Sequence, residues 1–398
     1  MPTPTTILYP HSSDELYGSD RVLLNLVRRL DRDRFRPYVL LPTDIPYEGK
    51  LSRALEEAGV AHEALAMPVL RRRYFSPWGL PRFLSHVWQG TRGVEVIARR
   101  EGAALIHSNT SAVWGGALAA SRLQLPHVWH VHELVTNPGL VRRLIAWMVA
   151  RHSTHVVAIS RAVAQHLLAD APELADRLSV IYDAVDTDRF SPRVDGSGLR
   201  RAWRVEDADV LVGVVGRISA WKGQDFFLRA FARAARAQPK LKAVIAGDVV
   251  PGEDWRREAL QALARELGVA QRVLWPGYQE NAAELMAALD VLVLPSIRPE
   301  PFGMVVIEAM AAGKPVIATA HGGPLESVAD GETGMLVSPA EPEEMASALA
   351  LLAGNRGLRE RMGHAGRERA ERLFGFETHV RAFQELYERL LHEKISNC

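Results

Sequence analysis

Cysteine is almost missing from this sequence: Cys398 is the only one among 398 residues. A disulfide framework and a cysteine-based metal site are thereby excluded, and a reducing, cytoplasmic setting is expected. No apolar run approaches the roughly 20 residues needed to cross a bilayer. The opening Met1-Pro2-Thr3-Pro4 carries neither the basic region nor the apolar stretch of a secretory signal. The templates Gly-x-Gly-x-x-Gly and Gly-x4-Gly-Lys-Ser/Thr are absent, which weighs against a nicotinamide dehydrogenase and a P-loop ATPase. Net charge is scarce too, at +1 from 48 basic and 47 acidic residues, so nothing calls for a nucleic-acid partner.

What is present is a soluble globular balance, 47% hydrophobic and 24% charged, in a chain long enough for two domains. The charge is unevenly spread. Residues 65–160 hold eleven Arg, no Lys and three acids, an excess of eight positive charges, so one face of the first half is expected to meet something anionic such as a membrane surface. The alternative is a set of arginines scattered over a solvated surface.

Short β-rich runs alternate with helical patterns along the whole chain. Strands are expected at 5–9, 38–41, 104–107, 127–131, 156–159 and 180–182, then again at 210–215, 243–246, 272–274, 291–294, 316–318 and 335–337. Helical spacing fills most gaps, as in Val22, Leu23, Leu26, Val27 and Leu30. Such alternation is the mark of parallel βαβ units. The polar, Gly-rich run 193–198 reads as a linker, which gives an N-terminal domain 1–195, a C-terminal domain 196–375 and a C-terminal helix 376–398. The fold class is α/β, two doubly wound Rossmann-like domains facing a central cleft, with sites at the carboxyl ends of the strands.

Two constellations carry chemistry. Gly216-Arg217 leaves a strand and Lys222-Gly223 precedes a helix; glycines admit phosphate to the backbone, and the cations and free N–H groups would neutralise it. The alternative is a tight turn with solvated charges. In the second, Pro299 and Pro301 delay helix formation until near Gly303. Glu300 therefore lies in the loop, while Glu308 lies about 8–12 Å further along the helix. That is too far to share a proton, but suits gripping hydroxyls at two ends of one ligand. Taken alone, Glu308 is an ordinary exposed helix glutamate.

The run 295–319, P-S-I-R-P-E-P-F-G-M-V-V-I-E-A-M-A-A-G-K-P-V-I-A-T, closely resembles the glutamate, seven residues, glutamate motif of the family 4 glycosyltransferases, retaining enzymes of the GT-B fold that use nucleotide-sugar donors. The likeness continues through His321-Gly322-Gly323-Pro324-Leu325-Glu326, Asp330-Gly331-Glu332-Thr333-Gly334 and the spacing of Arg217 and Lys222, covering most of 205–390. Gly18-Ser19-Asp20 resembles the family's Gly-Gly-x-Glu loop, with Tyr17 replacing one glycine. The strand ending His130-Val131-His132-Glu133 resembles the family's strand that ends in a sugar-facing histidine; His132 is the match and His130 the neighbour. Asp183-Ala184-Val185-Asp186 stands where the family often has Asn-Gly-Val-Asp, and no role is carried onto it.

The resemblance implies a retaining transfer of a sugar from a nucleotide-diphospho-sugar to an acceptor hydroxyl, in bacterial cell-surface glycan or glycolipid assembly. Arg217 and Lys222 would neutralise the diphosphate, helped by the helix start at Phe302, Gly303, Met304 and Val305. Glu308 would bind ribose and Glu300 the donor sugar. Gly18 would close on the phosphate from the first domain, and His132 would stabilise the reacting sugar. The C-terminal helix would return to the first domain. No cofactor and no metal are expected, because two cations and helix N–H groups do the work of a divalent ion. Alternatives are a nucleotide-sugar epimerase on the same fold and a non-catalytic nucleotide-sugar-binding subunit. The acceptor is expected to be a glycan or lipid-linked, with the enzyme peripheral at the inner face of the plasma membrane. That expectation rests on Arg71-Arg72-Arg73-Tyr74-Phe75 with Trp78, and on a helix where Leu140, Leu144, Trp147 and Met148 share a face flanked by Arg142 and Arg143; the alternative is a core helix of the first domain with its arginines in water.

Overall fold

In the computed structural model, which describes residues 3–71, 74, 79–136, 138–250 and 252–396, the chain forms two compact units. One comprises Met1–Asp183 with Phe376–Cys398, the other Ala184–Gly375. The first is built on a parallel sheet of seven strands: β1 (Thr5–Pro10), β2 (Phe35–Pro42), β3 (Ala61–Leu65), β4 (Ala103–Asn109), β5 (His127–Val131), β6 (His155–Ala158) and β7 (Leu178–Val180). Their order is β3-β2-β1-β4-β5-β6-β7. Its helices are α1 (Gly18–Arg29), α2 (Lys50–Glu57), α3 (Gly79–Arg100), α4 (Trp114–Leu123), α5 (Gly139–His152) and α6 (Arg161–Leu168).

The second unit repeats the plan with six parallel strands: β8 (Val210–Val215), β9 (Leu241–Ala246), β10 (Val273–Gly277), β11 (Val291–Leu294), β12 (Val316–Thr319) and β13 (Gly334–Val337), ordered β10-β9-β8-β11-β12-β13. Around them run α7 (Ser197–Ala202), α8 (Gln224–Ala237), α9 (Trp255–Glu266), α10 (Ala282–Ala288), α11 (Met304–Ala311), α12 (Pro324–Ser327), α13 (Pro342–Gly354) and α14 (Arg356–Phe374). The unbroken apolar runs of β8, β11 and β12 follow from burial on both faces of a parallel sheet. Strand order reverses between β1 and β4 in one sheet and between β8 and β11 in the other. Each reversal splits the flanking loops apart and leaves a crevice at the carboxyl ends.

The last helix, α15 (Phe376–Ser396), belongs to the first unit as expected. The reason is local: Phe383, Leu386, Tyr387 and Leu390 pack with Leu23, Leu26 and Val27 of α1, and the Tyr387 hydroxyl meets Tyr9 and His107 at 3.2 and 2.6 Å. The boundary falls at Ala184, earlier than the Gly-rich run suggests. Residues before that run are already fixed to the second unit: Arg367 donates to the carbonyls of Thr187 and Phe190, both at 2.7 Å, and Phe190 is buried. Among the described residues no helix is long and apolar enough to cross a membrane.

Candidate functional site

In the second unit the loops at the strand reversal bring the two predicted constellations together. Lys222 Nζ lies 2.6 Å from Glu300 Oε1, and Ser296 Oγ donates to the same oxygen at 2.5 Å. Glu300 is 4% exposed, so its charge is held by these two partners out of water. Two glycines make the approach feasible. At Gly223, with φ +69°, a Cβ would stand 1.9 Å from the Pro295 carbonyl oxygen; at Gly322, with φ +70°, it would stand 2.2 Å from that of Glu300. A side chain at either point would push the Lys222 turn or the Glu300 loop away. The Ile297 amide donates to Trp221 at 2.9 Å, tying the two loops directly.

Arg217 is exposed beyond β8, its carbonyl fixed by Gln224 Nε2 at 3.0 Å. Gly303, at φ +87°, starts α11, and Met304 and Val305 of the first turn are half-buried, so unpaired N–H groups face outward there. Phe302 is different: its side chain is 1% exposed and packs edge-on against Phe374, leaving only its backbone to offer a ligand. Glu308 is buried at 9% exposure, unlike an ordinary helix glutamate.

The first unit gathers its polar groups at the other reversal. Gly18 opens α1, and a Cβ there would meet nothing within 4 Å, so its backbone is open to approach. Burial pushes the Asp20 carboxyl up, but hydrogen bonds from His11, the Tyr17 amide and Ser13 outweigh it and hold Asp20 below the usual carboxylate range. His132 stands just past β5, its side chain 8% exposed. Burial, with His11 and His379 nearby, brings its pKa down to about 3, so the ring is neutral. His130 is fully buried, stacked near Phe383 and His107.

Four further groups here were not singled out from sequence. Thr110 has φ 84°, a strained conformation for a β-branched residue, held by its amide bond to His130 O at 2.9 Å. His11 and Asn109 end β1 and β4 and connect Asp20 to His132. Asp183 is buried, and desolvation raises its pKa to about 8; its Oδ1 lies 4.0 Å from His132 Nδ1. The family resemblance singles out His132; a polar residue at a strand's carboxyl end is the signal that would have found His11 and Asn109.

His130, His132 and Asp183 bring ligand atoms within 4.8 Å of one another and could hold a metal ion. With the Asp183 carboxyl raised to about 8 by burial, a cation would have to displace its proton to bind. The three Asp-x-Asp triplets, at 31–33, 186–188 and 207–209, lie in turns: Asp31 and Asp186 accept from nearby amides, and Asp209 pairs with Lys242 at 2.8 Å.

A pocket of about 440 Å³ opens in the first unit among Ser13, Glu15, Asp20, Tyr47, Arg71 and Glu133. Arg71 is the only cation among the described lining residues, and Asp44 takes it in a fork, Nε to Oδ2 at 2.7 Å and Nη2 to Oδ1 at 3.1 Å. Glu133 accepts from the Ser111 amide and hydroxyl and the His132 amide, yet burial still raises its pKa. Among the described residues the wall is acidic and rich in hydroxyl-binding groups, with its one cation paired to Asp44.

Three arginines of 65–160 are paired from outside that window: Asp44 takes Arg71, Glu63 takes Arg100 and Asp170 takes Arg142. Arg72, Arg73, Phe75 and Trp78 lie outside the described residues. On α5 the expected face is divided. Met148 turns inward with Ile145 and Val149, while Leu140 and Trp147 are 80% and 55% exposed beside Arg143 and Arg151.

The family profile described as Glycosyl transferases group 1 matches residues 198–369, and that described as Glycosyltransferase Family 4 matches residues 17–189. The chain is 35% identical to a D-inositol 3-phosphate glycosyltransferase of Streptomyces scabiei, over 70% of this chain and 66% of that protein. It is 33% identical to one of Thermomonospora curvata, over 76% of this chain and 70% of that protein. It thus spans slightly under two thirds of the length of the Streptomyces scabiei relative. Among solved structures it is similar to Anabaena Alr3699/HepE in complex with UDP and glucose, at TM-score 0.80 and 26% identity, over 96% of this chain and 99% of that chain. It shares the fold of the sucrose-phosphate synthase of Thermosynechococcus elongatus, at TM-score 0.77 and 21% identity, over 98% of this chain and 100% of that chain. With its two Rossmann-like units and both halves matched, the chain belongs to the family 4 glycosyltransferases of the GT-B fold.

Proposed function

We propose that the chain transfers a sugar, with retention, from a nucleotide-diphospho-sugar to an acceptor hydroxyl. The observation that carries this is the Lys222–Glu300 pair, beside Arg217 and the α11 start, at the strand reversal of the second unit. The diphosphate leaves from the sugar's anomeric carbon, and its developing charge meets Arg217, Lys222 and the amides of Gly303 to Val305, which lowers the barrier. Glu300 binds hydroxyls of the donor sugar and Glu308 the ribose. The acceptor oxygen attacks from the face the diphosphate leaves, and its proton passes to the leaving phosphate oxygen. Cations and amides already balance the diphosphate, so no metal is required.

The HepE complexes contain UDP, UDP-glucose, or UDP with glucose, which places UDP-hexoses first among donors to try. The acidic pocket favours an uncharged hydroxyl-bearing unit over a phosphate ester such as the inositol phosphate in the relatives' names. A sugar unit of a growing cell-surface glycan or glycolipid, met on the cytoplasmic side, fits that wall. The test is a panel of UDP, GDP, ADP and dTDP sugars in EDTA, with thermal shifts and nucleotide release followed with and without glycoside acceptors and their phosphate esters. One nucleotide class should stabilise the protein, and release should require an acceptor. Turnover lost in EDTA and regained with Mg²⁺ or Mn²⁺ would refute metal independence. Sugar inversion without acceptor would make it an epimerase, and binding without turnover a carrier subunit.

Peripheral membrane association belongs to the same proposal, now resting on Leu140 and Trp147 of α5 with Arg143 and Arg151. Flotation with anionic vesicles at low salt is expected, weakened several-fold in Trp147→Ser with Arg143→Ser. Equal behaviour of the variant and wild type would remove this face from the reading.

A further inference from the structure

Four side chains at the carboxyl ends of β1, β4 and β5 and the start of α1 form an unbroken chain of hydrogen bonds. His11 Nε2 lies 2.7 Å from Asp20 Oδ1, Asn109 Nδ2 lies 3.0 Å from His11 Nδ1, and His132 Nε2 lies 3.0 Å from Asn109 Oδ1. His11 and Asp20 are at most 1% exposed, as is Asn109. The direction of every bond can be deduced. An ionised Asp20 only accepts, so His11 Nε2 carries a proton. The Ser19 carbonyl, 3.3 Å from Asn109 Nδ2, cannot donate, so the NH₂ of Asn109 lies on that side. The same NH₂ faces His11 Nδ1, which therefore accepts. Asn109 Oδ1 therefore accepts, and the proton of His132 sits on Nε2.

We infer that Asp20 is a positioning residue which, through His11 and Asn109, fixes the tautomer of His132 and leaves its Nδ1 bare to accept a sugar hydroxyl. The sugar contact rests on the transfer reading above; the tautomer does not. Asp183 Oδ1 stands 4.0 Å from Nδ1, beyond hydrogen-bond reach. His132 so held cannot act as an acid toward the leaving group. It discriminates by accepting: a sugar with an O–H at that point is bound, and one lacking it leaves a buried imidazole nitrogen unpaired. The relay also couples this choice to the α1 entrance, because Asp20 Oδ2 takes the Tyr17 amide at 2.9 Å and Ser13 Oγ at 3.2 Å.

Asp20→Asn should invert the relay. Its amide can donate to His11 Nε2, which moves the His11 proton to Nδ1, turns Asn109 over at the expense of Ser19, and puts the His132 proton on Nδ1. Long-range ¹⁵N–¹H spectra of the full chain at pH 7.5 read this directly. In the wild type both His11 and His132 should be neutral with Nε2 protonated; in Asp20→Asn both should switch. Turnover should fall about 10- to 100-fold with the donor KM within about twofold. Should Asp20→Asn fail to fold, Asn109→Ala cuts the relay without touching Asp20, and His132 should then populate both tautomers. A wild-type His132 protonated on Nδ1 or on both nitrogens overturns the inference, and so does an unchanged His132 signal in the variants. Expected tautomers in a protein that turns over no donor would leave the relay standing and sink the transfer reading instead.

Discussion

Acidification from pH 7 to pH 5 is expected to strip most of the stability from the first unit. Six of its histidines are held neutral by burial: His127 and His132 with pKa values near 3, His155 and His379 near 4, and His107 and His130 well below the ordinary value. Charging them in place is hard. Both His130 nitrogens, His107 Nε2 and His379 Nε2 are buried without a hydrogen-bond partner, and His127 spends its two nitrogens on the His152 carbonyl and Ser108. Unfolded, each would titrate near 6.5. The folded pKa is the lower one, so the unfolded chain binds more protons and stability falls as pH drops below about 6.5. At pH 5 each histidine contributes roughly 2 kcal/mol of loss, and the six together rival the 5–15 kcal/mol that typically holds a domain together. Asp183 runs the other way. With a folded pKa of about 8, above its unfolded value, its contribution is lost as pH rises from about 4 to 8. The two slopes cross near neutrality, so denaturant midpoints should peak near pH 7 and fall far more steeply on the acid side. His130→Leu should recover roughly 2 kcal/mol at pH 5 and little at pH 7.5. A midpoint flat from pH 7 to 5 would mean these histidines are already charged or solvated.

Much of the architecture was legible because parallel βαβ units write it redundantly. Each buried strand is a compact apolar run, as in Val210–Val215 and Val291–Leu294, and both are observed with those bounds. β3 escaped because Ala61–Leu65, an edge strand, contains no β-branched residue and is only half-buried. The Glu300 and Lys222 positions were readable from motif spacing, but their ion pair was not; it depends on a tertiary approach that Gly223 and Gly322 allow. The relay was equally hidden. His11, Asp20, Asn109 and His132 are spread over 122 positions of sequence, and only the order β1-β4-β5 sets their strand ends side by side. Charge counted along the chain is blind to such pairing, since Asp44, Glu63 and Asp170 reach Arg71, Arg100 and Arg142 across the fold.

The largest catalytic effect is expected at Lys222 and Glu300, where the two variants should lose turnover alike but differ in stability. Glu300→Gln keeps the shape and an oxygen for Ser296, but presents no charge to Lys222 or to sugar hydroxyls that need a strong acceptor. Turnover should fall at least about 10³-fold, in the range seen when a preorganised electrostatic group is lost, with a melting temperature within a few degrees of wild type. Lys222→Ala should lose as much rate, because the cation proposed to face the leaving diphosphate is gone. It should also unfold more easily: Glu300 is 4% exposed, and removing Lys222 strands a buried carboxylate with only Ser296 to hold it, a loss of up to about 3 kcal/mol. Joining Lys222→Met to Glu300→Gln removes that stranded charge and should restore the melting temperature without restoring activity. Glu308→Gln provides the contrast. Eight residues along the loop and helix, it is proposed to grip the nucleotide and not the reacting carbon, so its defect should appear mainly in the donor KM. Turnover near wild type in Glu300→Gln or Lys222→Ala would move the chemistry away from this pair. Inactivity in the stable double variant, set beside intact nucleotide binding through Arg217 and Glu308, would place it there.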